Sequence, residues 1–341
     1  MRQTPVSFQL SVVLIFSLTG LLTDAHAADA LAGRREVQTW LNKTQSAARK
    51  LEYSGTFVYQ QANLVRTSRI THVLEGRNEI EKLEVLDGKP REFIRRNEEI
   101  VTYVPEARTL LVEKRLAADV FPSLLTSSTD TLEHYYSVKK TGGGRVAGHD
   151  CLTLTLEPKD TLRYGYKLWL DRRTGLLLRA QTLNDKREIV EQISFSQIEI
   201  GRIGHARVKP SFNNTHGWRV ENAVTRQVES SAWSIKSIPP GFRKIREVKR
   251  LLSDPPSRNT TQKPADRHEP REVLQIVLSD GLAAISVFIE PVGMNRTEGY
   301  MQQGATNVVG KRQGDFWLTI VGEVPAAAVK QVANSIELKT K

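Results

Sequence analysis

Apolar and polar positions along this chain recur with two periods, and the switch between them outlines its architecture. Val37, Trp40, Leu41, Thr44, Ala47, Ala48 and Leu51 return at three- and four-residue spacing. That predicts one amphipathic helix with Arg34, Arg35, Glu36, Lys43 and Lys50 on its wet side. From Gly55 the period drops to two, which predicts strands at 55–61, 64–74, 78–86, 91–97, 100–105 and 108–114. Further strands are expected at 138–140, 151–157, 164–170, 176–183 and 188–200. Gly76, Asp87-Gly88 and Asp171-Arg172-Arg173-Thr174-Gly175 supply turn chemistry between them. Connections this short join antiparallel neighbours, because parallel pairs need long crossovers.

Several strands are apolar on both faces. Phe57 and Tyr59 oppose Val58, Val101 and Tyr103 oppose Ile100 and Val104, and Tyr164, Tyr166 and Leu168 oppose Trp169. One face can lie under the helix, and the other must be covered too or line a cavity. A long twisted sheet with one covering helix curls toward a partial barrel, whereas a closed sandwich leaves no cavity. Phe57, Val58, Tyr103 and Trp169 are the candidates for lining an apolar groove, and the alternation does not say which face is concave.

Periodicity lapses at 208–230, where Pro210, Asn213-Asn214 and Gly217 mark a linker or a long loop. The expected division is a leader at 1–27, a large domain at 28–207, the linker, and a small α+β domain at 231–341. In the small domain the segment 242–252 fits a helix through Phe242, Ile245, Val248 and Leu252. It fits a strand equally well through Ile245, Glu247, Lys249 and Leu251. Segment 253–270 is polar and proline-bearing and reads as a solvated insertion. Strands are expected at 273–278 and 283–290 around the turn Ser279-Asp280-Gly281, and again at 305–311 and 315–321. A final helix begins at Pro325, with Ala328, Val329, Val332, Ala333 and Ile336 as its apolar stripe.

The first residues fix the compartment. Arg2, an apolar run over 10–22 and the small-x-small site Ala25-His26-Ala27 predict a secretory leader cleaved after Ala27. The run is shorter than the roughly 20 residues a spanning helix needs. Cys151 is the only cysteine, so no disulfide can form within one chain. It alternates with Leu152, Leu154 and Leu156, which suits a buried, inert thiol. The net charge of +11 survives cleavage, since Arg2 and Asp24 leave together. A basic surface favours anionic partners, and export removes nucleic acid from that class. Arg243, Lys244, Arg246, Lys249 and Arg250, against Glu247 alone, form the densest cationic cluster; it reads either as solvated surface or as a partner-binding patch.

Assembled chemistry is missing from the sequence. The seven histidines make no metal-ligand spacing, and Gly142-Gly143-Gly144 has no Lys-Ser/Thr partner to cradle a phosphate, so it reads as a flexible loop. There is no G-x-S-x-G elbow, and Glu98-Glu99 point to opposite faces of a strand. The expectation is a non-enzyme without metal or cofactor.

Two distant stretches carry a resemblance. YSGTFVY at 53–59, followed by RTSRITH and LDGKPREFIR, and GATNVVGKR at 304–312, followed by IVGEVP, together resemble the RseB/MucB family. The resemblance runs from about residue 31 to 336 and implies an α+β fold. In it, a LolA/LolB-like curved antiparallel half-barrel with covering helices precedes a smaller C-terminal domain. It also implies a periplasmic regulator that binds the periplasmic region of a membrane-spanning anti-sigma factor of RseA/MucA type. Such a regulator shields that segment from proteolysis, restrains the sigma-E response and sits at the inner membrane through its partner. A lipid or lipopolysaccharide signal is implied as well, and self-association stays open. The other reading is a periplasmic lipid or lipoprotein carrier of LolA/LolB type.

Overall fold

In the computed structural model, the described residues are 20–114, 132–223, 225–228, 231–252, 271–293 and 296–339. Helix α1 (Gly20–Lys50) leads into an open twelve-stranded sheet. Its first six strands are β1 (Tyr53–Gln61), β2 (Leu64–Glu75), β3 (Asn78–Val85), β4 (Arg91–Arg96), β5 (Glu99–Val104) and β6 (Thr109–Lys114). After the short helix α2 (Leu132–Tyr135) come β7 (Tyr136–Val146), β8 (His149–Pro158), β9 (Gly165–Asp171), β10 (Leu177–Leu183) and β11 (Ile189–Ile200). With β12 (Arg219–Ala223) at one edge, the spatial order is β12-β6-β5-β4-β3-β2-β1-β11-β10-β9-β8-β7, so two meanders meet where β1 pairs with β11.

Alternation decides what α1 covers. Leu152, Leu154 and Leu156 of β8, Tyr166, Leu168 and Leu170 of β9, and Leu177 and Ala180 of β10 form one buried cluster with Val37 and Leu41 of α1. The expected helix therefore buries its stripe on the sheet as its spacing requires. Lys43 on its wet side donates to the carbonyls of Arg172 (3.2 Å) and Arg173 (3.1 Å), which pins the helix to the β9–β10 turn. No helix among the described residues is long and apolar enough to cross a membrane.

Segment 208–230 contributes an edge strand to each of two sheets. β12 (Arg219–Ala223) pairs in parallel with β6, and β13 (Thr225–Gln227) pairs with β15 (Arg243–Leu252). The parallel pair is the exception in a sheet whose other pairs are antiparallel. The smaller sheet has the order β13-β15-β16-β17-β20-β19-β18, with β16 (Arg271–Ser279), β17 (Ala284–Pro291), β18 (Gly299–Gln303), β19 (Thr306–Gln313) and β20 (Phe316–Gly322). Helix α3 (Ala326–Asn334) buries Ala328, Val329, Val332 and Ala333 against Ile276, Leu278, Ile285, Val287 and Ile320. β14 (Trp233–Ile235) and β21 (Ile336–Leu338) close this domain as a two-stranded pair.

One open alternative is resolved and two expectations change. The ambiguous segment 242–252 is a strand, because Glu247 and Val248 are buried in register with Ile276 and Gln275. The triple glycine is not a loop; it lies inside edge strand β7. A Cβ at Gly143 would stand 3.0 Å from the Cys151 carbonyl and 2.9 Å from Arg172 Nη2, and one at Gly144 3.2 Å from Trp169 Nε1, so these two glycines sit where neighbouring groups approach the strand closely. Ile336 is not in the last helix: the helix ends at Asn334 and Ile336 opens β21, still within the same buried cluster. The polar insertion at 253–270 and most of the leader lie outside the described residues.

Cys151 is buried in β8, and burial is the main cause pushing its thiol up to about 11, with Asp171 adding to it. Thiolate is then scarce at pH 8 and grows only as pH climbs toward that value. A colorimetric disulfide reagent at pH 8 should label the folded chain at least about 100-fold more slowly than the urea-unfolded chain, whose cysteine titrates near 8.5. Comparable rates in the two states would contradict the burial.

Candidate partner interface

The four groove candidates do not form one wall. Phe57 and Trp169 belong to one buried cluster with Tyr53, Ile70, Leu178 and Phe195. Phe57 meets Phe195 across the β1–β11 pair, edge to face at 5.8 Å between ring centroids. Trp169 is flanked by cations, with Lys167 Nζ 5.1 Å and the Arg179 guanidinium 5.3 Å from its ring. Val58 is half-buried, in register with Ser194 and Thr67. Tyr103 lies elsewhere on β5, its ring 6.1 Å from Phe212, in the segment between β11 and β12. A separate polar groove of about 670 Å³ opens between β1–β3 and residues 206–213, lined by Ser54, Thr71, Arg69, Lys82, Gln197 and Arg207 among others.

The basic cluster lies along β15, and most of its charge is already matched. Lys244 pairs with Glu247, Lys249 with Glu272 (2.6 Å), and Arg250 reaches Glu113 of the large sheet at 3.9 Å. Among the described residues, Arg243 and Arg246 have no acidic partner. Exposed pairs contribute about 0–1 kcal/mol each, so the two unmatched arginines carry most of what the strand can offer an anionic partner.

A concentration of polar contacts lies between the two domains, centred on Arg163, a residue the sequence did not single out. Arg163, in the loop after β8, has a fully buried side chain. Its Nε donates to Asp160 (3.1 Å), Nη1 to Asp280 Oδ2 (3.1 Å) and Nη2 to the Pro240 carbonyl. The rings of Tyr135, Phe242 and Tyr136 surround the guanidinium at 4.6, 5.5 and 5.7 Å. Asp280 is the centre of the β16–β17 turn; its Oδ1 accepts from Leu282 N (3.0 Å) and Ala283 N (2.9 Å). Burial pushes its carboxyl above the ordinary value, against those two amides and Arg163, which pull it down. The next residue but one, Leu282, inserts into the core of the large domain.

The second part of the seam joins the two recognisable stretches of sequence. Gln61, at the end of the strand that begins YSGTFVY, donates to Thr306 Oγ1 (3.0 Å) and toward Glu191 Oε2 (3.4 Å). Tyr59 OH donates to the same Glu191 oxygen at 3.1 Å. Asn307, fully buried in GATNVVGKR, donates to Tyr164 OH (3.0 Å) and to the Val324 carbonyl (2.7 Å), and it accepts from Tyr300 OH. Gly304 has φ +55°, and a Cβ there would fall 2.2 Å from Gln61 Cγ and 2.9 Å from the Val190 carbonyl. That glycine is required by contact between domains, not only by the turn inside the small one.

Comparison with known proteins places this geometry. The profile of the MucB/RseB N-terminal domain matches residues 36–215, and that of the MucB/RseB C-terminal domain matches residues 227–337. The Sigma factor AlgU regulatory protein MucB of Pseudomonas aeruginosa is 31% identical over 337 residues, covering 96% of this chain and 96% of the relative. The Sigma-E factor regulatory protein RseB of Haemophilus influenzae is 24% identical over 343 residues, covering 99% of this chain and 100% of the relative. The solved complex of MucA and MucB from Pseudomonas aeruginosa contains a chain that matches with a TM-score of 0.67 and 30% identity, over 90% of this chain and 100% of that one. MucB solved with MucA(peri) matches with a TM-score of 0.65 and 29% identity, over 89% of this chain and 99% of that one.

Truncating Asp280 would leave the Arg163 charge buried with only one carboxylate. Asp280→Ala should lower unfolding free energy by about 3–5 kcal/mol, the usual cost of breaking a buried pair. Asp160→Ala, on the partly exposed side, should cost about 1 kcal/mol or less. Urea unfolding of both variants measures this, and equal losses would show that Asp280 is not the anchor.

Proposed function

Because the chain belongs to the MucB/RseB family, we propose that it is an exported regulator that binds the periplasmic region of a membrane-spanning anti-sigma factor of MucA/RseA type. By covering that segment it slows the segment's proteolysis and so restrains the sigma-E response. One observation carries the reading: both domains of this chain match, nearly end to end, a protein whose structure was solved with MucA(peri). The seam supports it. Arg163–Asp280, Gln61–Thr306 and Tyr164–Asn307 hold two sheets as one continuous platform, which a binder of a long segment needs and a simple shuttle does not. The role is binding rather than catalysis, and the leader is removed after Ala27.

Two finer elements belong to the same reading. Arg243 and Arg246 supply the electrostatic part of partner binding on the small domain. The large domain takes an acyl chain against the cluster holding Phe57 and Trp169, where each buried methylene contributes about 0.8 kcal/mol.

Mixing the chain with the periplasmic segment of its cognate anti-sigma factor should slow cleavage of that segment by the cognate protease, saturating at a fixed ratio. Unchanged cleavage under saturating protein would sink the proposal. Arg243→Gln with Arg246→Gln should slow association about two- to fivefold at low salt and lose that difference once the Debye length falls below about 8 Å. If the double variant associates as fast as the parent at low salt, the partner site lies elsewhere.

A further inference from the structure

The polar groove beside β1–β3 has no part in the function proposed above. Its floor is two rows of side chains in register across β11, β1, β2 and β3. One row is Gln197, Thr56, Arg69 and Glu84, and the next is Glu199, Ser54, Thr71 and Lys82. Alternation sets both rows on the face opposite Phe57, Ile70 and Phe195, so groove and apolar cluster occupy different sides of one sheet.

A sheet face that only met solvent would need no cover, yet segment 206–213 is fastened against this one. Lys82 is buried, and its Nζ donates to the Lys209 carbonyl (3.0 Å) and to Ser211 Oγ (2.8 Å). Glu84 (3.2 Å) and Glu92 (3.3 Å) balance its charge, and Glu92 also accepts from Ser211 N (3.0 Å). Val208 packs with Val73, Ile80 and Ile203. The strap so held leaves a groove of about 670 Å³, within the roughly 300–1,000 Å³ of small-ligand sites.

The groups left over select the ligand. Both carboxylates that line the groove are matched, Glu84 by Lys82 and Glu199 by Arg207 (2.8 Å). Among the described residues, Arg69 on the floor and Lys209 on the strap form no ion pair, and Gln197 and Asn213 make no side-chain hydrogen bond. A divalent cation would meet surplus positive charge there. An acyl chain would find only Ile198, Ala206 and Pro210, and a flat ring would find no aromatic side chain to stack on. Two unmatched cations beside amides and hydroxyls suit an oxyanion that also carries hydroxyl groups.

We propose that this groove binds a phosphate ester of a polyol. Arg69 and Lys209 take the phosphate from opposite walls, and Gln197, Asn213 and Thr56 take the hydroxyls. Lys82 is a positioning residue: its donors are spent on holding the strap, and it leaves the ligand to its neighbours.

The test needs no protein partner, so its outcome is independent of the anti-sigma reading. Isothermal titration of the full chain uses inorganic phosphate, glucose and glucose 6-phosphate as probes. Glucose 6-phosphate should bind about tenfold more tightly than inorganic phosphate, and glucose should show no binding. Arg69→Gln with Lys209→Gln should weaken glucose 6-phosphate about tenfold. Arg77→Gln with Arg226→Gln removes the same charge from exposed positions on the β2–β3 turn and on β13, and should leave binding within about twofold of the parent. Gln197→Ala should narrow the gain over inorganic phosphate while phosphate itself still binds. Circular dichroism checks the fold of each variant. The same chemistry is carried by a free solute or by a lipid headgroup, and flotation with phosphatidylcholine vesicles, with and without phosphatidylglycerol, separates the two. Co-flotation that needs phosphatidylglycerol and is lost in the Arg69/Lys209 variant assigns a headgroup; titration without flotation assigns a solute. The proposal is overturned by absence of binding in both arms, by equal losses in the two double variants, or by phosphate binding that hydroxyls do not improve, which would mark an adventitious ion only.

Discussion

A guanidinium with no exposed surface constrains everything around it. Arg163 gives up its hydration, and the loss is tolerable only if its donors find acceptors and its faces find aromatic rings. The acceptors come from three separated parts of the chain, at Asp160, Asp280 and Pro240, and the rings from Tyr135, Tyr136 and Phe242. Satisfying that one side chain therefore positions α2 and β7 on the large domain together with the β16–β17 turn of the small one. Leu282 can then enter the core under α1, because Asp280 already holds its amide. Polar geometry fixes the angle of approach, and apolar burial follows it.

The opposite end of the seam is built on different terms. Close approach replaces charge: Gly304 lets the small domain's backbone reach Gln61 and the Val190 carbonyl, and Asn307 ties Tyr164 to the Val324 carbonyl. Amides and hydroxyls form weaker, replaceable contacts than a buried ion pair. One end is thus a firm anchor and the other is adjustable.

Strands announced themselves where one face is buried and the other wet, because alternation then has a physical cause; β1 to β6 and β8 to β11 fall within a few residues of the pattern. Legibility failed where that cause is absent. The five residues of β12 are mostly exposed, and its partner β6 is about a hundred positions earlier, so nothing local marks it. β15 carried helical and strand periods together, and only its register with β16 separates them. That Gly143 and Gly144 of β7 lie under Arg172 and Trp169 is a tertiary fact. Of the candidate residues, Phe57 and Trp169 come together, while Tyr103 stands apart on Phe212. The cationic strand was visible as composition, but the acids that neutralise much of it, Glu113 and Glu272, arrive from other strands. Arg163 was missed because a single arginine in a loop has no periodicity; the motif halves around Gln61 and Gly304 were seen, though not that they touch.

β12 ends at Ala223 and β13 begins at Thr225, each hydrogen-bonded into a different sheet. A single residue of chain therefore separates the edge of one domain from the edge of the other. With so short a tether the two halves stay at an effective concentration that no flexible linker could match. A ligand engaging both would meet a bivalent receptor whose second contact costs almost no search, and a ligand leaving one half would be recaptured before it diffused from the other.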